Sequence, residues 1–185
     1  EASVADGIAA AVAARGPVQI CVPNAGIAEG RALHKTDSAF WRRMMATNLD
    51  GAFLTIRESL TSMRQTDWGR VIAVSSIAGL RGLKGAPAYT ASKHGIAGLT
   101  KTAALQYAAR SIRVNAVCPA LVNAGMGLKA LKHAALTKTD LLDKHPAGRA
   151  ATADEVARVV LWLCSPEADF IHGHMLALDG GYGAR

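Results

Sequence analysis

The sequence predicts an α/β domain, a doubly wound parallel sheet with helices on both faces, and three observations carry that expectation. Short apolar, β-branched runs alternate with longer helical patterns along the whole chain, the arrangement that makes parallel strands joined by helical crossovers. One run, Arg70-Val71-Ile72-Ala73-Val74, ends in two hydroxyls, Ser75 and Ser76, where a parallel strand would give way to its loop. Of the 185 residues 50% are hydrophobic, with 18 glycines and 6 prolines, a balance that suits one compact domain without repeats or low-complexity tracts.

Strands are expected over residues 19–22, 70–75, 113–117 and 175–178, each a short apolar run bounded by turn residues. Helices are expected over 38–65, 88–110 and 153–163. The second begins just after Pro87 and is rich in small residues, among them Ala91, Gly95, Ala97, Gly98, Ala103 and Ala104, which permit close packing on a sheet or on another helix. The third is preceded by Thr152 with Glu155 three residues on, the signature of a capping box.

Tyr89 and Lys93 are the most informative pair, four residues apart in one predicted helix and therefore on one face of it. A phenol titrates near pH 10, and lowering it by about three units requires roughly 4 kcal/mol of extra phenolate stabilisation. One ammonium at about 4 Å in an effective dielectric of about 20 supplies energy of that order, enough to make Tyr89 a usable proton donor and acceptor. A tyrosine lying on a lysine stem at a helix surface is the ordinary meaning of such a pair, but the surrounding segments outweigh it. Ser76 closes the strand of 70–75, and ligands of doubly wound folds bind at the carboxyl ends of strands. Asn48 places an amide inside the helical pattern of 38–65, and Asn24-Ala25-Gly26 directly follows the run of 19–22. Four separate segments thus point to one crevice.

On these residues the chain resembles the short-chain dehydrogenase/reductase family over nearly all of its length. The resemblance implies a Rossmann-like fold and an NAD(P)-dependent oxidoreductase that interconverts a secondary alcohol and a ketone by hydride transfer. It assigns Asn48, Ser76, Tyr89 and Lys93 as a catalytic tetrad. Ser76 is implied to hydrogen-bond the substrate oxygen and Tyr89 to exchange its proton. Lys93 is implied to lower the Tyr89 pKa and hold the nicotinamide ribose, and Asn48 to anchor a water in a proton relay. For the cofactor, NAD or NADP, the resemblance implies contacts from Asn24, Ala25, Gly26, Tyr89, Lys93, Pro119, Ala120 and Val122. The charge logic is general: a carbonyl that receives hydride becomes an alkoxide, and donors aimed at that oxygen stabilise it.

Several features depart from the family pattern. The glycine-rich phosphate loop with which family members open has no counterpart here, since Gly79, Gly82 and Gly85 follow the Ser76 strand and read as loop glycines. Residues 1–14 resemble the helix that follows the family's third strand. The 185 residues are therefore expected to be the C-terminal part of a single dinucleotide-binding domain, N-terminally truncated, with the residue that selects NAD or NADP outside it. On that expectation the strand of 19–22 becomes an apolar edge prone to association. Pro119-Ala120 stands where the family has Pro-Gly, and Ala124 replaces a threonine implied to bond the nicotinamide carboxamide, a loss on the order of 1 kcal/mol. Pro23 before Asn24 removes a backbone N–H where a strand end tolerates it.

The helix after Tyr89 and the helix bearing Asn48 are implied to build a dimer interface, with Asp179-Gly180-Gly181-Tyr182 as a second contact, so a homodimer or homotetramer is expected. The stretch between Asn123 and His145 is implied to form a substrate lid. Its Lys129, Lys132, His133 and Lys138 suit a solvated basic face first, and an anionic or carrier-bound acyl substrate second.

Other function classes find less support. The formal net charge is +7, yet the basic residues are scattered and aromatics are 5% of the chain, so no nucleic-acid partner is expected. No apolar run approaches the roughly 20 residues of a membrane span, and the cytoplasm is the expected compartment. Cys21, Cys118 and Cys164 lack Cys-x-x-Cys spacing and lie in apolar segments, as buried thiols of a reducing compartment do. His172 and His174, with Asp169 nearby, share alternate positions but have no further ligand close in sequence, and read as the approach to the last strand rather than a metal site. The competing expectation is a catalytically idle subunit or interaction module, motivated by the missing phosphate loop.

Overall fold

A computed structural model describes residues 1–128 and 145–184; Lys129, Lys132, His133 and Lys138 of the expected lid lie outside them. In chain order the elements are α1 (Ala2–Arg15), β1 (Ile20–Cys21), α2 (Ser38–Met45), α3 (Gly51–Met63), β2 (Trp68–Val74), α4 (Pro87–Tyr107), β3 (Ser111–Pro119), α5 (Ala153–Leu163) and β4 (Met175–Leu178). The strands form one parallel sheet in the order β1-β2-β3-β4. This is the doubly wound, Rossmann-like α/β architecture that the alternation of runs predicts.

Strand periodicity explains how the sheet is covered. Val71, Ala73, Ile112, Val114 and Ala116 turn to one face, against Ile56, Leu60 and Met63 of α3 and Ile96 and Ala104 of α4. Ile72 and Val117 turn to the other, against Leu163 of α5 and Ala168. Successive residues of a strand alternate between faces, so a strand buried on both sides reads as a continuous apolar run. Each such side chain contributes about 1.5–3 kcal/mol on burial.

The predicted helix of 38–65 is interrupted. Residues Ala46–Asp50 form a single π turn between α2 and α3, a local widening that removes the regular ladder at Asn48. Thr152 caps α5 as the sequence predicts, accepting from the Glu155 N–H at 3.1 Å while the Glu155 carboxylate accepts from the Thr152 N–H at 2.8 Å. Pro87 occupies the first turn of α4, where its missing N–H costs nothing.

β1 is shorter than predicted, yet Gln19 O accepts from Arg70 N at 2.9 Å and Pro23 O from Val74 N at 3.0 Å, so backbone pairing brackets the predicted run. Among the described residues β1 ends the sheet, and Ile20 within it and Val22 just after it are 50% and 40% exposed. At the amino ends of the strands the buried Arg70 side chain pairs with Asp169 and donates to Ser111 O at 3.0 Å. Asn115, fully buried on β3, fixes the approach of β4: its Nδ2 donates to Ile171 O at 2.8 Å and its Oδ1 accepts from His174 N at 3.0 Å. His172 serves the same junction, with Nδ1 accepting from Val114 N at 3.0 Å.

Candidate active site

The site forms where β2 ends and α4 begins. Ser75 continues the sheet, its N–H donating to Val117 O at 2.9 Å. Ser76 then turns the chain into the short 3-10 turn Ile77–Gly79 and caps it, Oγ accepting from Ala78 N at 3.2 Å. A hydroxyl carries one proton and two lone pairs, so accepting from Ala78 leaves the Ser76 proton available to another oxygen. The Tyr89 phenol stands in the first turn of α4, close enough to Ser76 for that side chain to lower its pKa against the effect of burial.

Lys93 follows one turn later and is 3% exposed. Its Nζ donates to Val74 O at 2.8 Å and lies 5.7 Å from the Tyr89 ring centroid. Burial lowers its pKa to about 8, with Cys118 acting weakly in the opposite sense. Lys93 is not among the influences on the Tyr89 pKa. The Tyr89 phenol is held above its usual value by burial, and the influence that lowers it comes from Ser76. One donor of the ammonium goes to a backbone carbonyl of β2.

Asn48 is fully buried in the π turn. Its Oδ1 accepts from Ile27 N at 2.8 Å, and its Nδ2 donates to Ile27 O at 2.9 Å and to Ser92 Oγ at 3.2 Å. The amide thereby ties the segment after β1 to α4. Gly26 sits in this junction: a Cβ there would stand 3.2 Å from Asn48 Oδ1 and 3.9 Å from Lys93 Nζ. Asn24 and Ala25 are exposed just before it. Pro119 ends β3 and is buried, Ala120 N donates to Leu178 O at 3.2 Å, and Val122 bridges to Ala151. The eight residues expected at a cofactor therefore occupy the carboxyl ends of β1 and β3 and the face of α4 between them. Ala124, half-buried after β3, offers no side-chain donor.

Sequence reasoning missed three supporting residues. Ser92 donates to Tyr89 O at 2.7 Å while accepting from Asn48; its place between Tyr89 and Lys93 was the available signal. Gly79 lets the Ser76 turn close on α4, since a Cβ there would meet Ser75 Oγ at 2.5 Å and Lys93 O at 2.7 Å. Cys118 lies fully buried beneath the site; burial raises its thiol to about 11, against the influence of Ser75, Ser76 and Lys93.

The residues present fit the nicotinamide end of a dinucleotide. A buried ammonium has three donors, and one of them goes to Val74. The missing side chain of Gly26 leaves room beside it. A phenol and a hydroxyl adjoin at a strand end.

Comparison with known proteins bears on the family. A family model described as enoyl-(acyl carrier protein) reductase matches residues 1–183. Cis-4-hydroxycyclohexanecarboxylate dehydrogenase of Sinomonas cyclohexanicum is 41% identical over 187 residues, covering 100% of this chain and 73% of the relative. A protein named inactive 2-(S)-hydroxypropyl-CoM dehydrogenase 2, of Xanthobacter autotrophicus, is 37% identical over 184 residues, covering 98% of this chain and 80% of its own length. Among solved structures, ElxO with NADP bound superimposes with a TM-score of 0.92 at 30% identity, over 98% of this chain and 74% of that one. An oxidoreductase of the short-chain dehydrogenase/reductase family from Burkholderia thailandensis gives 0.87 at 33% identity, over 98% and 70%. With the fold, the family model and the relatives in agreement, the chain belongs to the short-chain dehydrogenase/reductase family, oxidoreductases that act on CH–OH groups with NAD or NADP.

Proposed function

We propose that this protein interconverts a secondary alcohol and a ketone, with Asn48, Ser76, Tyr89 and Lys93 as its catalytic residues. What supports this reading is the placement of Ser76 at the carboxyl end of β2 beside the first turn of α4, where Ser76 influences the Tyr89 phenol, with the buried Lys93 ammonium one helical turn on. The bound nicotinamide cofactor supplies or takes the hydride. Ser76, its lone pair already used by Ala78 N, donates its proton to the reacting oxygen. Tyr89 gives a proton to that oxygen in reduction and removes it in oxidation. Lys93 holds ribose hydroxyls with the donors that Val74 leaves. Asn48 holds the segment after β1 in place and supports a water between itself and Lys93. Asn24, Ala25, Gly26, Pro119, Ala120 and Val122 line the cofactor.

Residues 1–185 are proposed to be the C-terminal part of one dinucleotide-binding domain, supported by relatives of which they cover 73% and 80%. Assembly as a homodimer or homotetramer is proposed through the α3 and α4 faces, where Phe53, Ile56, Leu60, Leu99, Ala103 and Tyr107 line a groove of about 320 Å³ and Leu105 is 83% exposed. The three cysteines are free thiols, the form that a reducing cytoplasm maintains; among the described residues no helix is long and apolar enough to cross a membrane.

The test is NADH and NADPH oxidation with a panel of ketones, run on the protein and on Tyr89→Phe. The variant is expected to lose turnover by a factor of at least about 10²; wild-type turnover in it would overturn the assignment. A second reading, an idle subunit, is favoured by the relative named as inactive. Cofactor binding with no turnover on any ketone or alcohol would support it instead.

A further inference from the structure

We infer that Arg81, acting through the C-terminal turn of residues 179–184, is a positioning residue for the Ser76 hydroxyl; the inference rests on the dehydrogenase reading of the site. Asp179 builds the turn, its carboxylate accepting from Gly181 N at 3.0 Å and Gly183 N at 2.7 Å. The turn then reaches the segment that carries Ser76. A Cβ on Gly183 would stand 3.6 Å from Ile77 Cδ1, and Ile77 is the residue after Ser76. Arg81 grips the turn from the other side, with Nη1 donating to Tyr182 O at 2.9 Å and its guanidinium carbon 5.1 Å from the Tyr182 ring centroid. The backbone of Arg81 is itself part of the Ser76 turn, since its N–H donates to Ile77 O at 3.1 Å beside that of Leu80 at 3.0 Å.

The same C-terminal turn is tied to the far wall of the site. The Tyr182 ring lies 5.2 Å from the His145 ring. His145 Nε2 accepts from Leu121 N at 3.4 Å, two residues past Pro119, and Ala147 N donates to Gly180 O at 3.0 Å. Ser76 Oγ takes its orientation from Ala78 N within the 3-10 turn. Whatever moves Ile77 and Ala78 therefore moves the hydroxyl. Among the described residues Arg81 forms no ion pair, so its fork is used for this carbonyl and this ring.

The experiment compares Arg81→Ala, Arg81→Lys and Gly183→Ala with wild type in the full-length protein. A Cβ at Gly183 would stand 2.8 Å from Asp179 Oδ2, so that variant disturbs the turn while leaving Arg81 in place. Arg81→Ala and Gly183→Ala are each expected to lower kcat on the order of tenfold, with cofactor affinity unchanged and with lysine at 81 restoring part of the loss. Hydrogen exchange in residues 75–82 is expected to quicken in the same two variants. Wild-type kcat together with wild-type exchange in Arg81→Ala would overturn the inference, as would a loss confined to cofactor affinity. If wild type itself turns over no substrate, the dehydrogenase reading fails, and the exchange comparison alone decides whether Arg81 holds the Ser76 turn.

Discussion

Replacing Gly79 by alanine tests how closely the Ser76 turn must approach α4. The added Cβ would stand 2.5 Å from Ser75 Oγ and 2.7 Å from the Lys93 carbonyl oxygen, with the Lys93 carbonyl carbon at 3.1 Å. Ordinary contact begins at 3.4 Å, so the neighbours must withdraw by about 0.9 Å and 0.7 Å. Ser75 can rotate away, at the cost of its 3.2 Å hydrogen bond to Lys93 O. The carbonyl cannot, because it belongs to the middle of α4. Either the helix or the turn must shift, and each carries half of the proposed chemistry. Overpacking of this kind costs about 1–3 kcal/mol, a fall in Tm of about 2–12 °C for a chain of this size. A misplacement near 1 Å between Ser76 and Tyr89 lowers kcat/KM by up to about 10²-fold. The assay is a thermal melt and steady-state kinetics on the same preparation, with Gly79→Ala/Ser75→Ala as a control. The control removes the hydroxyl obstacle and leaves the carbonyl, so it should not recover activity. Gly79→Ala with wild-type Tm and wild-type kcat/KM would refute the reasoning.

Lys93→Met removes a buried ammonium whose folded pKa, about 8, lies below its usual 10.5. The unfolded chain binds the extra proton between these values, so wild-type stability gains from rising pH across that window. The stability of Lys93→Met relative to wild type should accordingly be highest below pH 8 and decline toward pH 10.5, as read by paired melts; a flat difference would contradict it. His172 is also held below the usual histidine value, chiefly by burial. The folded state resists its protonation, so stability is lost as pH falls below about 6.5. His172→Asn should flatten that acid limb in urea titrations at pH 5 and 7. Asp169→Ala leaves the buried Arg70 guanidinium without its carboxylate, and is expected to cost about 1–3 kcal/mol while sparing kcat/KM, because Arg70 lies at the strand ends remote from Ser76. Loss of turnover at normal Tm would break that separation of roles.

What could be read from the chain was whatever has a local period or a local spacing. Val71 to Val74 and Val114 to Val117 gave the buried strands because both sheet faces are covered, and Tyr89 with Lys93 gave one helix face. The Thr152–Glu155 box gave the start of α5 because it spans three residues. The π turn at Ala46–Asp50 had no such signature, and Asn48 within it exchanges two hydrogen bonds with Ile27, 21 residues away. The true partner of Lys93 was hidden for the same reason: Val74 O is a backbone atom on another element, and no side-chain pattern announces it. Arg81 and Tyr182 lie 101 residues apart and meet through a carbonyl, so nothing in either segment alone points to the other.

The burial of Tyr89 and Lys93 bears on how the site handles protons. Burial moves both central groups away from charge, raising the phenol and lowering the ammonium. At neutral pH Tyr89 therefore keeps its proton firmly, and Lys93, at about 8, is still mostly protonated. Such a pair is poised to give a proton to an oxygen that becomes negative, which is what carbonyl reduction demands of it. Taking a proton from an alcohol asks the opposite, a phenolate in a dry setting, with Ser76 as the influence among the described residues that lowers the Tyr89 pKa. The low dielectric that resists the phenolate also amplifies any positive charge brought close to it. Oxidation in this site is thus expected to gain from rising pH more steeply than reduction loses.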